Sequence, residues 1–217
     1  LGNRGSSGKA LPILNPIKEN TQLYEFEDEI ANFSAGRSHN VIVLKNGTCY
    51  GWGCNMLYEI GLPKQKDYPY PTLISFRSFL SKYFFKEPFI VEALCGHSFT
   101  LYLDKAGIVY YALGNTDECS LQKINFSKEE IVSIHGYIQP CIIGKSGTIY
   151  TINDDLTAQP IPFKFTDKSD INDDDSEKIV DVCTTKKSII CLSKKGRVYM
   201  LSTLSGTLFT IVNSLIN

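Results

Sequence analysis

A short cassette with the pattern Lys-x-Gly-x-apolar-Tyr recurs four times in this chain of 217 residues, and it limits the possible folds more than any other feature. The copies are Lys45–Tyr50, Lys105–Tyr110, Lys145–Tyr150 and Lys194–Tyr199. Their glycines lie 60, 40 and 49 residues apart at Gly47, Gly107, Gly147 and Gly196. Repetition at this interval is typical of β-propeller blades with connections of variable length, and not of short solenoid repeats.

Each cassette has the features of a β-hairpin. An apolar strand such as 41–44 or 189–192 ends just before the lysine, and it is apolar at both alternating positions, as expected for a strand covered on both faces. The cassette glycine permits the positive φ of a tight turn. A further short strand, such as 131–134, precedes each hairpin. Three strands and a connecting segment that supplies a fourth predict an all-β fold of antiparallel propeller blades.

The motifs around the first cassette resemble one known family. They are the Gly-x-x-His element (Gly36, His39), the hairpin glycine Gly47 and the Trp-Gly-x-Asn element (Trp52, Gly53, Asn55). Residues 30–62 thereby resemble a complete regulator-of-chromosome-condensation repeat. Later copies keep the hairpin, while the tryptophan element is reduced to Leu113-Gly114-Asn115 in the second copy and is lost from the third and fourth. The resemblance implies a β-propeller, which typically has seven blades in this family.

The chain is therefore expected to be a single propeller region over residues 1–217, containing part of a propeller. The predicted repeats are 1–24 (the tail of a preceding blade), 25–88, 89–126, 127–165 and 178–217. An acidic run at 166–177 is interpreted as a solvated loop insertion between blades.

Composition excludes several classes of function. With 22 basic and 23 acidic residues the net charge is -1, which argues against direct binding to nucleic acid. No apolar run is long enough to span a bilayer, and no signal peptide is recognisable, so membrane binding is not expected. Seven cysteines, several of them within apolar strands, favour a reducing intracellular compartment, cytoplasmic or nuclear.

No catalytic, cofactor-binding or metal-binding residues are predicted. His39, His97 and His135 each lie near a strand start, and the family position that His39 matches is structural. The sequence Gly2–Ala10 lacks the spacing of a phosphate-binding loop, and the acidic run lacks the glycine of a calcium loop. Cys49 and Cys54 do not have the spacing of a zinc site.

The long connection over 63–88 contains the weak candidates for partner binding. It mixes cationic and aromatic side chains, which bury area while keeping a polar handle. The candidates are Lys64, Lys66, Tyr68, Tyr70 and Arg77. The alternative is that the apolar part of this connection, 79–85, forms a fourth strand or a short helix packed on the blade.

The sequence thus predicts a non-catalytic protein-interaction scaffold whose partners are other proteins. The resemblance implies an alternative, a guanine-nucleotide exchange factor for a Ran-like small GTPase that associates with chromatin. Exchange requires no covalent chemistry, because the factor acts by stabilising the nucleotide-free GTPase. A remote third alternative is an enzyme built on a propeller fold, which would need acidic or histidine side chains converging near the central channel.

Overall fold

In the computed structural model, β-strands dominate, and no helix occurs in the residues that are described, namely 18–19, 22–23, 26–76, 87–113, 121–161, 178–202 and 209–212. The first strands are β1 (Lys18–Glu19), β2 (Gln22–Leu23), β3 (Ile30–Ala35), β4 (His39–Leu44), β5 (Cys49–Gly53) and β6 (Tyr68–Leu73). They are followed by β7 (Ile90–Cys95), β8 (Phe99–Asp104), β9 (Val109–Leu113), β10 (Leu121–Lys123), β11 (Ile131–His135) and β12 (Cys141–Gly144). The last strands are β13 (Ile149–Ile152), β14 (Ala158–Pro160), β15 (Ile179–Thr184), β16 (Ser188–Ser193), β17 (Val198–Ser202) and β18 (Phe209–Val212).

Sixteen of these strands form four sheets of four strands each, in which neighbours in the sheet are also neighbours along the chain. Blade 1 contains β3 to β6, blade 2 contains β7 to β10, blade 3 contains β11 to β14, and blade 4 contains β15 to β18. Strands β1 and β2 pair separately. The prediction of antiparallel blades, each completed by a fourth strand from the connecting segment, is confirmed.

The cassette glycines form the tight turns between the second and third strands of each blade. Gly47, Gly107, Gly147 and Gly196 have φ angles of 85°, 77°, 84° and 78°. At Gly47 a Cβ would also lie 2.9 Å from Cγ of Phe89 at the start of blade 2, whereas at Gly196 it would meet nothing within 4 Å. The turn itself requires glycine in all four copies, and at Gly47 close packing adds a second reason.

The first strand of each blade begins with isoleucine and is bulged at the next residue. Each of these isoleucines pairs with the last residue of the second strand, and the register shifts immediately afterwards. The four are Ile30, Ile90, Ile131 and Ile179. The extra residues are Ala31, Val91, Val132 and Val180. A bulge adds one residue and increases the local twist. Its recurrence at one position shows that the repeat extends to backbone geometry that the sequence pattern does not reveal.

The chain divides into two compact units. The first comprises 1–105 and 110–122, and the second 106–109 and 123–217. In the first unit β3 and β4 of blade 1 pack against β7 of blade 2. In the second, Cys141, Ile143 and Ile149 of blade 3 form one buried cluster with Ile179 and Val182 of blade 4. Each core therefore lies between consecutive blades.

Several predicted features lie outside the described residues. They are the beginning of the chain, Arg77, the apolar stretch 79–85, the element Gly114-Asn115 and the acidic run 166–177. The repeat boundaries and the single propeller region over 1–217 stay predictions.

Candidate interaction surface

Asn55, the last residue of the Trp-Gly-x-Asn element, organises the connection between β5 and β6. Its side chain is fully buried, and its Nδ2 donates to the carbonyl oxygens of Leu62 at 2.9 Å and Lys64 at 2.8 Å. Its Oδ1 accepts from the backbone N–H of Ile60 at 2.9 Å. The amide thus makes three hydrogen bonds, two as donor and one as acceptor, with backbone groups that have no strand partner in this connection. The connection 54–67 is therefore a defined loop.

Glu59 and two residues with positive φ shape the tip of this connection. Oε2 of Glu59 accepts from the backbone N–H of Leu57 at 2.9 Å, and the Glu59 side chain is buried. Tyr58 and Gly61 have φ angles of 57° and 84°. Such a conformation is costly for tyrosine and persists only where the surroundings impose it. The carboxylate and the strained turn together fix the backbone at Leu57.

Two side chains of blade 2 also form hydrogen bonds with this connection. The Thr100 hydroxyl donates to the carbonyl oxygen of Glu59 at 2.5 Å, and the Tyr102 hydroxyl donates to that of Ile60 at 2.7 Å. Both side chains are fully buried. Desolvation raises the pKa of Tyr102 well above its ordinary value, so the hydroxyl remains a donor. The shape of the connection thus depends on the packing of blade 2 against blade 1.

His39 of the Gly-x-x-His element completes this link between the blades. Its Nε2 lies 3.2 Å from the carbonyl oxygen of Phe99 and 3.0 Å from the Thr100 hydroxyl. Burial lowers the pKa of His39 from 6.5 to about 4, while the bond to Phe99 opposes that shift. The imidazole is therefore neutral near pH 7 and donates from Nε2. The structural role that the family resemblance implies for His39 fits this position, between two blades and away from solvent.

The fixed connection presents two adjacent apolar side chains and two cations to solvent. Met56 and Leu57 are each more than half exposed, and Lys64 and Lys66 are exposed. Lys64 lies near Met56 because its carbonyl oxygen bonds to Asn55, the residue before Met56. We call Met56, Leu57, Lys64 and Lys66 the blade 1 platform.

A third cation lies beside the platform. The backbone N–H of Cys54 donates to the carbonyl oxygen of Ser38 at 2.8 Å, which places the turn containing Arg37 next to the start of the connection. The Arg37 guanidinium is 3.2 Å from Nε2 of His97. Exposed apolar side chains bordered by cations are suited to a partner surface that combines apolar and acidic groups.

Four of the five residues that the sequence grouped as partner-binding candidates lie within the described residues, and they differ in exposure. Lys64 and Lys66 belong to the platform, and Tyr70 is partly exposed on β6. Tyr68 is buried, with the ammonium of Lys66 4.7 Å from the centre of its ring. Arg77 lies outside the described residues. The buried Tyr68 ring therefore holds the Lys66 ammonium through a cation–π contact.

Met56 and Leu57 were not among the sequence candidates. A signal was available, because two consecutive apolar residues follow the Trp-Gly-x-Asn element at a point where the chain leaves the sheet. Apolar residues in a loop are ordinarily taken to fold back on the core. Here the hydrogen bonds of Asn55 and Glu59 hold the backbone so that these side chains point outward.

No cluster of three or more histidine, cysteine or acidic side chains that could hold a metal ion occurs within the described ranges. His135, in the second unit, contacts Oδ1 of Asp181 at 3.2 Å from Nδ1 and the Ser133 hydroxyl at 2.8 Å from Nε2. Burial lowers its pKa, and Asp181 opposes the shift. Within the described residues, no helix is long and apolar enough to cross a membrane.

Two family profiles described as regulator of chromosome condensation (RCC1) repeat match the sequence, one at residues 46–103 and the other at 30–55. These residues cover blade 1 and the start of blade 2, including the Asn55 connection and His39. No curated protein sequence matches the chain.

Solved structures share the fold. Prp20p from Saccharomyces cerevisiae, described with its binding properties to Gsp1p and histones, aligns with a TM-score of 0.58 at 15% identity, over 78% of this chain and 43% of that one. Yeast RCC1 (Prp20) bound to Kap60 gives 0.57 at 15% identity, over 78% and 42%. AztD from Citrobacter koseri gives 0.52 at 10% identity, over 83% and 45%. The chain spans less than half the length of these structures. The fold is that of RCC1-like β-propeller blades.

Proposed function

We propose that this RCC1-like repeat protein is a non-catalytic interaction scaffold that binds a partner protein at the blade 1 platform. The observation that carries the proposal is that the platform is held in place before any partner arrives. Asn55, Glu59 and Thr100 fix its backbone through buried hydrogen bonds. A preordered surface loses little conformational entropy on binding, which favours affinity.

The chemistry of the platform suggests the character of the partner. Met56 and Leu57 offer apolar area, and the same connection carries two exposed cations, Lys64 and Lys66, and one exposed carboxylate, Asp67. Arg37 adds a further cation in the adjoining turn. Charges at the rim of an interface mainly steer association and specify the partner, whereas apolar groups near its centre contribute most of the affinity. A partner that presents an apolar side chain flanked by aspartate or glutamate fits this arrangement.

A second candidate function is nucleotide exchange on a Ran-like small GTPase. It is supported by the similarity to Prp20p, described with binding to Gsp1p and histones, together with the RCC1 repeats at 30–103. No exchange residue is assigned to this chain, because the matched motifs are those that form the blades.

Affinity capture with the full chain tests the scaffold proposal. The wild-type chain, Leu57→Asp and Val132→Asp would be immobilised in parallel, and proteins retained from a cell extract would be quantified by mass spectrometry. Leu57→Asp places a charge at the centre of the platform, whereas Val132 is an equally exposed apolar residue on blade 3. We expect a stoichiometric protein retained by the wild type and Val132→Asp and reduced at least about tenfold by Leu57→Asp. Equal retention by all three chains would refute the proposal that the partner binds at the blade 1 platform.

Purified Ran, nucleotide-free and loaded, separates the two candidates. Preferential binding of nucleotide-free Ran, with faster release of a fluorescent guanine nucleotide, would support exchange. Equal or absent binding of the two forms, together with capture of another protein that depends on Leu57, would support a scaffold without exchange activity.

A further inference from the structure

Three side chains of the second unit form one hydrogen-bonded chain across the boundary between blades 3 and 4. Ser133 and His135 lie two residues apart on β11, so their side chains project from the same side of that strand. Nε2 of His135 lies 2.8 Å from the Ser133 hydroxyl, and its Nδ1 lies 3.2 Å from Oδ1 of Asp181 on β15. A serine, a histidine and an aspartate joined in this order are the arrangement that activates a nucleophilic serine in several unrelated folds.

The carboxylate determines where the protons of this chain lie. A carboxylate only accepts hydrogen bonds, so Nδ1 of His135 carries the ring proton and donates it to Asp181. Nε2 is then the acceptor and takes the hydrogen bond of the Ser133 hydroxyl. Burial lowers the pKa of His135, while Asp181 opposes the shift, so the ring is neutral near pH 7. A neutral Nε2 beside a hydroxyl is placed to act as a general base.

The equivalent contact between blades 1 and 2 is built differently. There Asn32, two residues after the first-strand isoleucine, accepts from the backbone N–H of Ala93 at 3.0 Å. Between blades 3 and 4 the corresponding N–H, that of Val182, donates instead to Oδ1 of Asp181 at 2.8 Å. Ser133 occupies the position of Asn32, and its hydroxyl bonds to the imidazole. The serine is therefore directed at a base, whereas Asn32 is directed at the backbone of the next blade.

We propose that Ser133 is a nucleophile that accepts an acyl group from activated esters, with His135 as its general base and Asp181 as a positioning residue. Oγ of Ser133 forms a bond to the ester carbonyl carbon while its proton passes to Nε2 of His135. The bond from that carbon to the leaving oxygen then breaks, and the leaving group takes the proton from Nε2. The acyl group stays on Oγ, and the imidazole is neutral again. Ser133 and His135 are both partly exposed, so a small ester can reach them.

Acetylation of the full chain by p-nitrophenyl acetate tests the proposal, with peptide mass spectrometry to locate and quantify each acetyl group over time. Ser34 is the matched internal control. It is a partly exposed serine of β3 whose Oγ accepts from the backbone N–H of Cys95 at 2.9 Å and is not paired with an imidazole. We expect Ser133 to be acetylated at least about a hundredfold faster than Ser34, which is the contribution of a general base. Ser133 acetylated no faster than Ser34 would overturn the proposal, and this comparison needs no variant.

Two variants test the roles of the serine and the histidine. Ser133→Ala should abolish the rapid acetylation, and His135→Gln should slow acetylation of Ser133 at least about a hundredfold while the circular dichroism spectrum stays that of the wild type. Rapid acetylation of another residue of the same peptide in Ser133→Ala, or an unchanged rate at Ser133 in His135→Gln, would overturn the proposal.

Asp181→Asn tests the positioning role through the pH dependence of acetylation. In the wild type the rate should rise as His135 loses its proton, at a pH below the ordinary value of 6.5. In Asp181→Asn the midpoint should move to a still lower pH, because Asp181 opposes the lowering of this pKa. Asp181 is the charged group that faces His135 from β15, and Cys141, opposite His135 on β12, is uncharged because burial raises its pKa to about 12. An unchanged midpoint would contradict the role of Asp181.

Discussion

Acid should destabilise the first unit through His39, and a glutamine at this position should remove the effect. Burial lowers the pKa of His39 from 6.5 to about 4. In the unfolded chain the imidazole takes up a proton near pH 6.5, whereas in the folded chain it does so only near pH 4. Between these values the unfolded state binds more protons, so stability falls as the pH is lowered through this window. The difference corresponds to roughly 3 kcal/mol of unfolding free energy.

Urea denaturation from pH 7.5 down to pH 4, followed by tryptophan fluorescence, measures this loss. The single tryptophan, Trp52, lies in blade 1 and is buried, so its emission reports on the unit that contains His39. The His39→Gln variant keeps an N–H donor for Phe99 but does not titrate. Between the two ends of the pH range, the unfolding free energy of the wild type should fall by roughly 3 kcal/mol more than that of His39→Gln. Carboxylates that titrate in the same range contribute equally to both chains and cancel in the comparison.

His135→Gln is the matched control for this experiment. It removes a buried histidine from the second unit and leaves His39 in place. The fall in unfolding free energy with acid, followed by Trp52 fluorescence, should therefore persist. Parallel pH profiles for the wild type and His39→Gln would refute the account of His39 as a neutral, buried donor between blades.

Three further predictions concern the residues that hold the blades and the connection. Asn55→Ala should lower the unfolding free energy by about 2 to 4 kcal/mol in urea denaturation, because it leaves three backbone groups without their partner. Gly47→Ala should cost more than Gly196→Ala in the same assay, since both strain a positive φ by about 1 to 2 kcal/mol but only the first also crowds Phe89; equal losses would contradict this. In the native chain a thiol reagent at pH 8 should modify the exposed Cys183 well before Cys95, whose pKa burial raises to about 12, and modification of Cys95 at a comparable rate would be inconsistent with its burial.

The hairpins and blades could be predicted because their determinants are local. A glycine with positive φ and a flanking apolar strand specify a turn whatever the rest of the chain does, and Gly47 and Gly147 do so in the structure. The family resemblance of residues 30–62 rests on the same local motifs and is confirmed by the profiles. The bulge after each first-strand isoleucine was not predicted, because its extra residue leaves no distinctive side chain in the sequence.

The surface was harder to predict, because it depends on which side of a strand a residue faces and on what the next blade covers. Tyr68 and Tyr70 are two residues apart and would share one face of a regular strand, yet Tyr68 is buried and Tyr70 is partly exposed. The register between β5 and β6 shifts at this point, between Gly51 and Gly53. Similarly, Phe33 and Ala93 occupy equivalent positions, and only the contact with a neighbouring blade makes the second one buried.

Site-specific photo-crosslinking tests the central claim most directly, namely that the blade 1 platform is where this protein binds its partner. A photoreactive amino acid would replace Leu57 in one chain and Val132 in another, and each chain would be irradiated in cell extract. The account predicts a covalent adduct of one discrete mass from position 57 and none of that mass from position 132. The same adduct from both positions, or an adduct from position 132 alone, would contradict it.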